Sequence, residues 1–160
     1  MTTNTSSRAA STFPVAASGP AGDLKVAWGT YAVAANPTAG DVFEMHWVPD
    51  GATVVGGWYM AEDLDTNATA TIDNDVGWAA NNSDAANSAG FGNFGVQTGD
   101  VSVHLPVAGV YLPYQGVIAS AGPKTFTAGG GATKVQVTSV AAAATFSAGQ
   151  ITCVSLYTAQ

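Results

Sequence analysis

Charged residues are scarce in this sequence. Only 9% of its 160 residues are Asp, Glu, Lys or Arg, against about 25% in an average soluble domain. Just four residues are Lys or Arg, and the net charge is −7. Binding to nucleic acid or to an anionic membrane surface needs clustered basic residues to neutralise phosphates. We therefore expect neither nucleic acid nor a membrane as a partner.

Cysteine and long apolar runs are also scarce. Cys153 is the only cysteine, which excludes an intramolecular disulfide. The longest apolar runs are far shorter than the ~20 residues that span a bilayer. Residues 1–22 are mostly Ser, Thr, Ala, Gly and Pro and contain no apolar segment typical of a signal peptide. The sequence therefore predicts synthesis and folding in a cytosol.

Residues that build amphipathic helices are few. The chain has five leucines and four basic residues, against thirty alanines, nineteen glycines and eighteen threonines. Helices normally cover their solvent face with Lys, Glu and Arg, so a helical bundle is disfavoured. The 47% of hydrophobic residues suffices for one core in a chain of this length, without a metal or disulfide.

Strand patterns recur from Asp23 onward, between clusters of Gly, Pro, Asn and Asp. In the segment 42–48, Phe43, Met45 and Trp47 alternate with Glu44 and His46, which predicts a strand with one core face and one solvated face. Further strands are predicted over 24–28, 53–60, 68–73, 101–105, 116–119, 124–127, 133–140 and 150–158. About eight short strands at this spacing indicate an all-β, antiparallel β-sandwich.

Residues 78–95 interrupt this pattern. Asn82 or Ser83 could cap a helix over 84–89, with Gly90 just beyond its end, and this is the only short helix we predict. The segment 90–95 matches G-x-G-x-x-G, but it lacks the preceding strand and following helix of a dinucleotide site. No cofactor is therefore expected, and Phe91 and Phe94 are interpreted as capping the core or contacting a partner.

The two ends of the chain carry further apolar groups. We expect residues 1–22 to form an extended N-terminal arm and residues 23–160 a single domain. The arm has one apolar cluster, Phe13, Pro14 and Val15; it is either a disordered tail or a strap anchored on a neighbouring subunit. In the last predicted strand Val154 and Leu156 share a face opposite other apolar residues. We expect that second face to be covered by the arm or by another subunit.

Residues suited to chemistry do not form a recognised site. The segment 63–67 resembles the start of a calcium loop, but Ala68 and Asn74 replace the Gly and Glu that an EF-hand requires. Turns in which Asp and Asn side chains bond their own backbone are the simpler interpretation, and no metal is expected. His46 and His104 are the only histidines, and no G-x-S-x-G elbow is present, so we predict no enzyme activity.

Several segments together resemble a known family. The residues GDVFEM at 40–45, VPDGATVVGG at 48–57 and EDLDT at 62–66 are similar to a region of the small decoration, or cement, proteins of tailed-bacteriophage capsids. The segments 126–129, 133–138 and 141–152 resemble the closing hairpin of the same proteins. Residues 1–22 and 78–113 have no counterpart in this resemblance.

The resemblance implies a β-sandwich of jelly-roll type that coats the outside of an icosahedral head. It also implies the major capsid protein as a partner, a trimer as the oligomeric state, and a place on the virion surface after synthesis in the cytoplasm of a bacterial host. Phe13, Pro14, Val15, Phe91, Phe94, Val154 and Leu156 are the interface residues that we predict.

An alternative hypothesis is a carbohydrate-binding head-fibre or tail adhesion domain. Its sugar platform would consist of Trp58, Tyr59, Trp78, Tyr111 and Tyr114. Aromatic residues also fill protein cores, so burial of these side chains would count against the platform.

Overall fold

A computed structural model describes residues 1–6, 9–11, 23–97 and 109–159. These residues form ten strands and one helix: β1 (Thr3–Thr5), β2 (Leu24–Val33), β3 (Val42–Val48), β4 (Thr53–Glu62), β5 (Asp73–Trp78), β6 (Asn87–Val96), β7 (Gly109–Pro113), α1 (Gly116–Ala121), β8 (Lys124–Thr125), β9 (Thr133–Ala141) and β10 (Gly149–Thr158). Within these residues no helix is long and apolar enough to span a bilayer.

The strands form two sheets. We call the sheet with the order β1-β3-β9-β5-β6 the β3 sheet, and the sheet with the order β2-β10-β4-β7, to which β8 adds at β4, the β2 sheet. Four antiparallel pairs are nested in sequence: β2 with β10, β3 with β9, β4 with β7, and β5 with β6. This is the strand order of a jelly roll. The prediction of an all-β, antiparallel sandwich is confirmed, and β1 adds a parallel pair with β3.

The core lies between the two sheets and follows the alternation of the strands. Phe43 and Met45 from β3 face Tyr59 from β4 and Cys153 from β10, and all four are buried. The predicted bounds of β3 agree with the structure, and those of β4, β9 and β10 agree to within two residues. These strands have a regular period of two residues because one of their faces is buried.

The predicted alternation fails at one point in β3. The register against β9 shifts between Glu44 and His46, as happens where a β-bulge inserts an extra residue. His46 is consequently buried, and Trp47 lies half-buried on the outer face beside Lys134, whose Nζ is 4.9 Å from the ring centroid. The assignment of His46 to the solvated face and of Trp47 to the core was therefore wrong.

Three predicted elements are also corrected. The segment 84–89, predicted as a helix, has no helix and ends inside strand β6, while the helix forms at Gly116–Ala121, where a strand was predicted. The strand predicted over 68–73 begins only at Asp73. Small residues dominate all three segments, so tertiary pairing decides their conformation more than propensity does. The strand predicted over 101–105 lies outside the described residues.

The loop before β5 is organised by its acidic residues. Asp63, Asp65 and Asn67 each accept a hydrogen bond from the backbone N–H two residues further on, which is the geometry of successive Asx turns. The carboxylate of Asp65 accepts four more hydrogen bonds from backbone N–H groups, two in this loop and two in the loop after β9. The similarity to a calcium loop thus reflects a turn built by Asp and Asn side chains.

Candidate interaction surface

The outer side of the β2 sheet carries a continuous group of apolar side chains. Trp28, Val154 and Trp58 are in register across β2, β10 and β4, and Leu156 is in register with Val26. Leu24, Val26 and Trp28 are 60%, 54% and 43% exposed. We call this group the outer apolar face; it consists of Leu24, Val26, Trp28, Trp58, Val154 and Leu156.

Charge is absent from the outward positions of the edge strand β2 and its neighbour β10. The outward positions of β2 and β10 carry apolar, Thr or Gln residues, and none of these positions carries a charged residue. The outer side of the β3 sheet differs, because Glu44 and Lys134 form an ion pair there, with 2.7 Å between Oε2 and Nζ. The outer apolar face is therefore the surface better suited to contact with protein, since large exposed apolar patches mark interaction sites.

The predicted interface residues fall into three groups in the structure. Val154 and Leu156 belong to the outer apolar face, on the opposite side of β10 from Cys153, as their alternation indicates. Phe91 is fully buried and stacks on Tyr114, with 5.0 Å between ring centroids. This placement is that of a core residue rather than an interface residue.

Phe94 is half-buried and stacks on Tyr59, with 6.2 Å between the ring centroids. It therefore covers one edge of the core. Phe13, Pro14 and Val15 lie outside the described residues. Leu24, Val26 and Trp28 are not among the predicted interface residues, although their spacing of two along β2 is a signal that could identify them.

A buried histidine and serine are also in contact. His46 Nε2 lies 2.9 Å from Ser155 Oγ, and Ser155 Oγ lies 3.1 Å from the Tyr114 hydroxyl. A base and a hydroxyl at this distance can form a nucleophilic pair. Here, however, all three residues are buried between the sheets, where a substrate could not reach them. The contact instead satisfies polar groups inside the core.

Two carboxylates on β5 lack such partners. Asp73 and Asp75 each have one buried carboxylate oxygen without a hydrogen bond, and Asp75 is only 6% exposed. Burial, and to a smaller extent the charge of Asp73, raises the pKa of Asp75 to about 6. Burial likewise raises the pKa of Asp73. The folded protein therefore binds protons at this site more tightly than the unfolded chain does.

We predict that Asp75→Asn stabilises the protein at neutral pH. The folded pKa of about 6 exceeds the unfolded value of about 3.9, so the wild type loses stability as the pH rises between these values. Above pH 6 the variant should be more stable by about 1–2 kcal/mol, and near pH 4 the two should converge. Urea unfolding from pH 4 to 8 at fixed protein concentration measures this difference.

The control for this variant is Asp23→Asn, which removes the same charge at an exposed position before β2. It should change stability by less than about 0.5 kcal/mol at every pH. A stability gain of Asp75→Asn that is equal at pH 4 and pH 8, or no gain at pH 8, would contradict the prediction.

Comparison with known proteins gives matches among solved structures. No protein-family model matches the chain, and no curated protein matches it. A chain of the cyanophage Pam1 capsid asymmetric unit is 25% identical, with a TM-score of 0.65 over 94% of this chain and 96% of that chain. The chain has the fold of phage capsid chains. A chain from the capsid of Ralstonia phage GP4 is 22% identical, with a TM-score of 0.73 over 99% and 98%.

A third match is weaker. A chain from the acidic stable capsid structure of Helicobacter pylori bacteriophage KHP30 is 17% identical, with a TM-score of 0.52 over 87% of this chain and 90% of that chain. In the first two matches the likeness covers nearly the whole of both chains. The fold shared with these phage capsid chains therefore includes both sheets of the sandwich.

Proposed function

We propose that this protein is a structural, non-enzymatic component of a tailed-bacteriophage head. It binds the outside of the capsid as a decoration protein and stabilises the head by bridging capsomers, as a trimer. Its partners are the major capsid protein and other copies of itself, and it is synthesised in the cytoplasm of a bacterial host. The observation that carries this proposal is the likeness in fold, over 94–99% of the chain, to chains of two phage capsid structures.

The outer apolar face supports the part of the proposal that concerns self-association. Val26 and Leu24 are more than half exposed, and an interface between copies would remove their apolar area from water. Each 100 Å² of apolar area buried contributes about 2.5 kcal/mol before the costs of association. The scarcity of charge on this side favours such burial, because an unpaired charge at the centre of an interface is costly.

The outer side of the β3 sheet carries an ion pair, which supports a position for this sheet away from the subunit contacts. Its ion pair between Glu44 and Lys134 is partly solvated, with side chains 16% and 22% exposed. If this side faces water, the ion pair keeps its contact with water and assembly costs no desolvation free energy there. We therefore propose that the β2 sheet faces the subunit contacts and that the β3 sheet faces outward.

We predict that the purified protein binds undecorated heads of its own phage. Binding should saturate at a copy number fixed by icosahedral symmetry, because each equivalent position on the capsid presents the same surface. Decorated heads should also withstand heating by several degrees more than bare heads, because a ligand that binds only the assembled state stabilises it. Sedimentation of heads after mixing, followed by quantitative electrophoresis, measures the copy number.

Native mass spectrometry of the isolated protein tests the trimer separately. Heads of an unrelated phage serve as the control for binding and should retain none of the protein. Failure to bind its own heads, or binding without saturation, would overturn the decoration role. A monomer at every concentration would overturn the trimer alone.

The carbohydrate platform is not favoured by the structure. Tyr59, Trp78 and Tyr114 are buried in the core. Trp78 packs edge-on against Phe126, with 5.6 Å between ring centroids. Sugar platforms need an exposed aromatic ring face, and these three side chains supply none.

A further inference from the structure

The N-terminal strand β1 occupies an edge of the β3 sheet. Thr3, Asn4 and Thr5 are in parallel register with Val42, Phe43 and Glu44 of β3. The main-chain bonds at its two ends are 2.8 Å long, from Val42 N–H to the Thr2 carbonyl and from Ser6 N–H to the Glu44 carbonyl. Without β1, strand β3 would present an unpaired edge, which folded proteins generally cover.

The receiving surface on β3 is shaped for this segment. The carboxylate of Asp41 accepts the Thr2 N–H at 2.7 Å, and the Ser6 hydroxyl donates to the Met45 carbonyl. Gly29 on β2 allows this approach, since a Cβ there would collide with the Met45 carbonyl and lie 3.2 Å from Ser6 Oγ. Ser6 and Ala9 are buried at the end of the segment. The edge of β3 thus binds residues 2–6 in one defined register.

None of these contacts depends on both partners belonging to one chain. Residues 12–22, composed mainly of Ser, Thr, Ala, Gly and Pro, separate β1 from the domain. When extended, the chain between Ser11 and Asp23 spans up to about 40 Å, similar to the diameter of roughly 40 Å expected for a domain of this size. The linker is therefore long enough for β1 to reach the β3 edge of an adjacent subunit.

We propose that in the assembled protein β1 of one copy occupies the β3 edge of the neighbouring copy. This proposal rests on the proposed self-association. Exchange around a closed ring leaves every β3 edge covered, so no main-chain hydrogen bond is lost. It also gives each subunit a second attachment to its neighbour besides the outer apolar face, and two linked contacts hold far more tightly than one. The ligand of this edge is thus a second copy of this chain.

Disulfide trapping distinguishes exchange from pairing within one chain. Thr3 and Val42 are in register on adjacent strands, about 4.8 Å apart, within the range of Cα separations that a disulfide bridges. Two differently tagged full-length chains, one carrying Thr3→Cys and the other Val42→Cys, are expressed together and oxidised. Exchange predicts a disulfide-linked heterodimer that includes up to about half of the chains, since partners mix at random.

A control mixture separates exchange from disulfides that form by chance collision between chains. Ser88→Cys replaces Thr3→Cys in a control mixture, because Ser88 is exposed on β6 at the opposite edge of the sheet; this mixture should give no heterodimer. The native thiol does not interfere, since Cys153 is fully buried and burial raises its pKa. The pair Thr5→Cys and Glu44→Cys, also in register, repeats the test if the first pair fails to fold.

The outcomes differ for the two proposals. Exchange would be overturned if the protein is a trimer by native mass but the mixed chains give no heterodimer, while one chain carrying both cysteines forms an internal disulfide. Self-association would then remain intact. A monomer by native mass that forms only the internal disulfide would overturn both. A heterodimer in a trimeric sample supports both.

Discussion

Asp65→Asn is expected to destabilise the fold by about 3 kcal/mol. Asp65 is only 3% exposed, and its carboxylate accepts five backbone hydrogen bonds of 2.8–3.3 Å, from Asn67, Thr71, Ile72, Ala144 and Thr145. These donors come from two loops, so one side chain fixes the entry to β5 and the exit from β9. An Asn in its place would aim an N–H₂ group at backbone donors and leave several of them unsatisfied.

The pH dependence of this effect has a definite sign. Burial by itself would raise the pKa of Asp65, but hydrogen bonds from the backbone of Thr71, Thr145, Ala144 and Asn67 outweigh burial and hold that pKa well below its usual range. The stabilisation is therefore fully present above the unfolded pKa of about 3.9 and is lost as the pH falls below it. Urea unfolding should show the deficit of Asp65→Asn shrinking below pH 4.

The matched control is Asp63→Asn, two residues away in the same loop. Asp63 accepts a single hydrogen bond, from Asp65 N–H at 3.2 Å, and its replacement removes the same charge. We expect a loss below about 1 kcal/mol. Equal losses in the two variants would show that charge, rather than the hydrogen bonds to Asp65, decides the stability of this loop.

Most of the sandwich could be predicted from the sequence because its strands have one buried face. Burial imposes a period of two on residues such as Phe43 and Met45, and that period is visible in the sequence. The cluster of Asp and Asn residues at 63–67 likewise predicts turns bonded to their own backbone. What the sequence did not indicate is that Asp65 also binds the loop after β9, because that contact joins residues almost eighty positions apart.

The positions that could not be predicted depend on tertiary pairing. The bulge before His46 reverses which residues of β3 face the core, and no local residue type marks it. Phe91 was assigned to an interface because its glycine-rich segment resembles a loop. In the structure this segment pairs with β5 as strand β6, which places Phe91 against Trp78, with 4.9 Å between ring centroids. Residues with Gly on both sides adopt whichever conformation their neighbours stabilise.

Val26→Glu is expected to weaken self-association by about a hundredfold or more. Val26 is 54% exposed on β2, between Leu24 and Trp28 of the outer apolar face and in register with Leu156 of β10. A Glu there remains solvated in the monomer but would be buried, without a partner, in the proposed trimer. The control is Val140→Glu, since Val140 is 44% exposed in β9 of the other sheet and receives the same charge.

Sedimentation equilibrium should show a dissociated oligomer for Val26→Glu alone, and only this variant should bind heads more weakly. Circular dichroism should show that both variants are folded. If Val140→Glu dissociates the trimer and Val26→Glu does not, the subunits meet through the β3 sheet, and the orientation proposed for the two sheets is reversed.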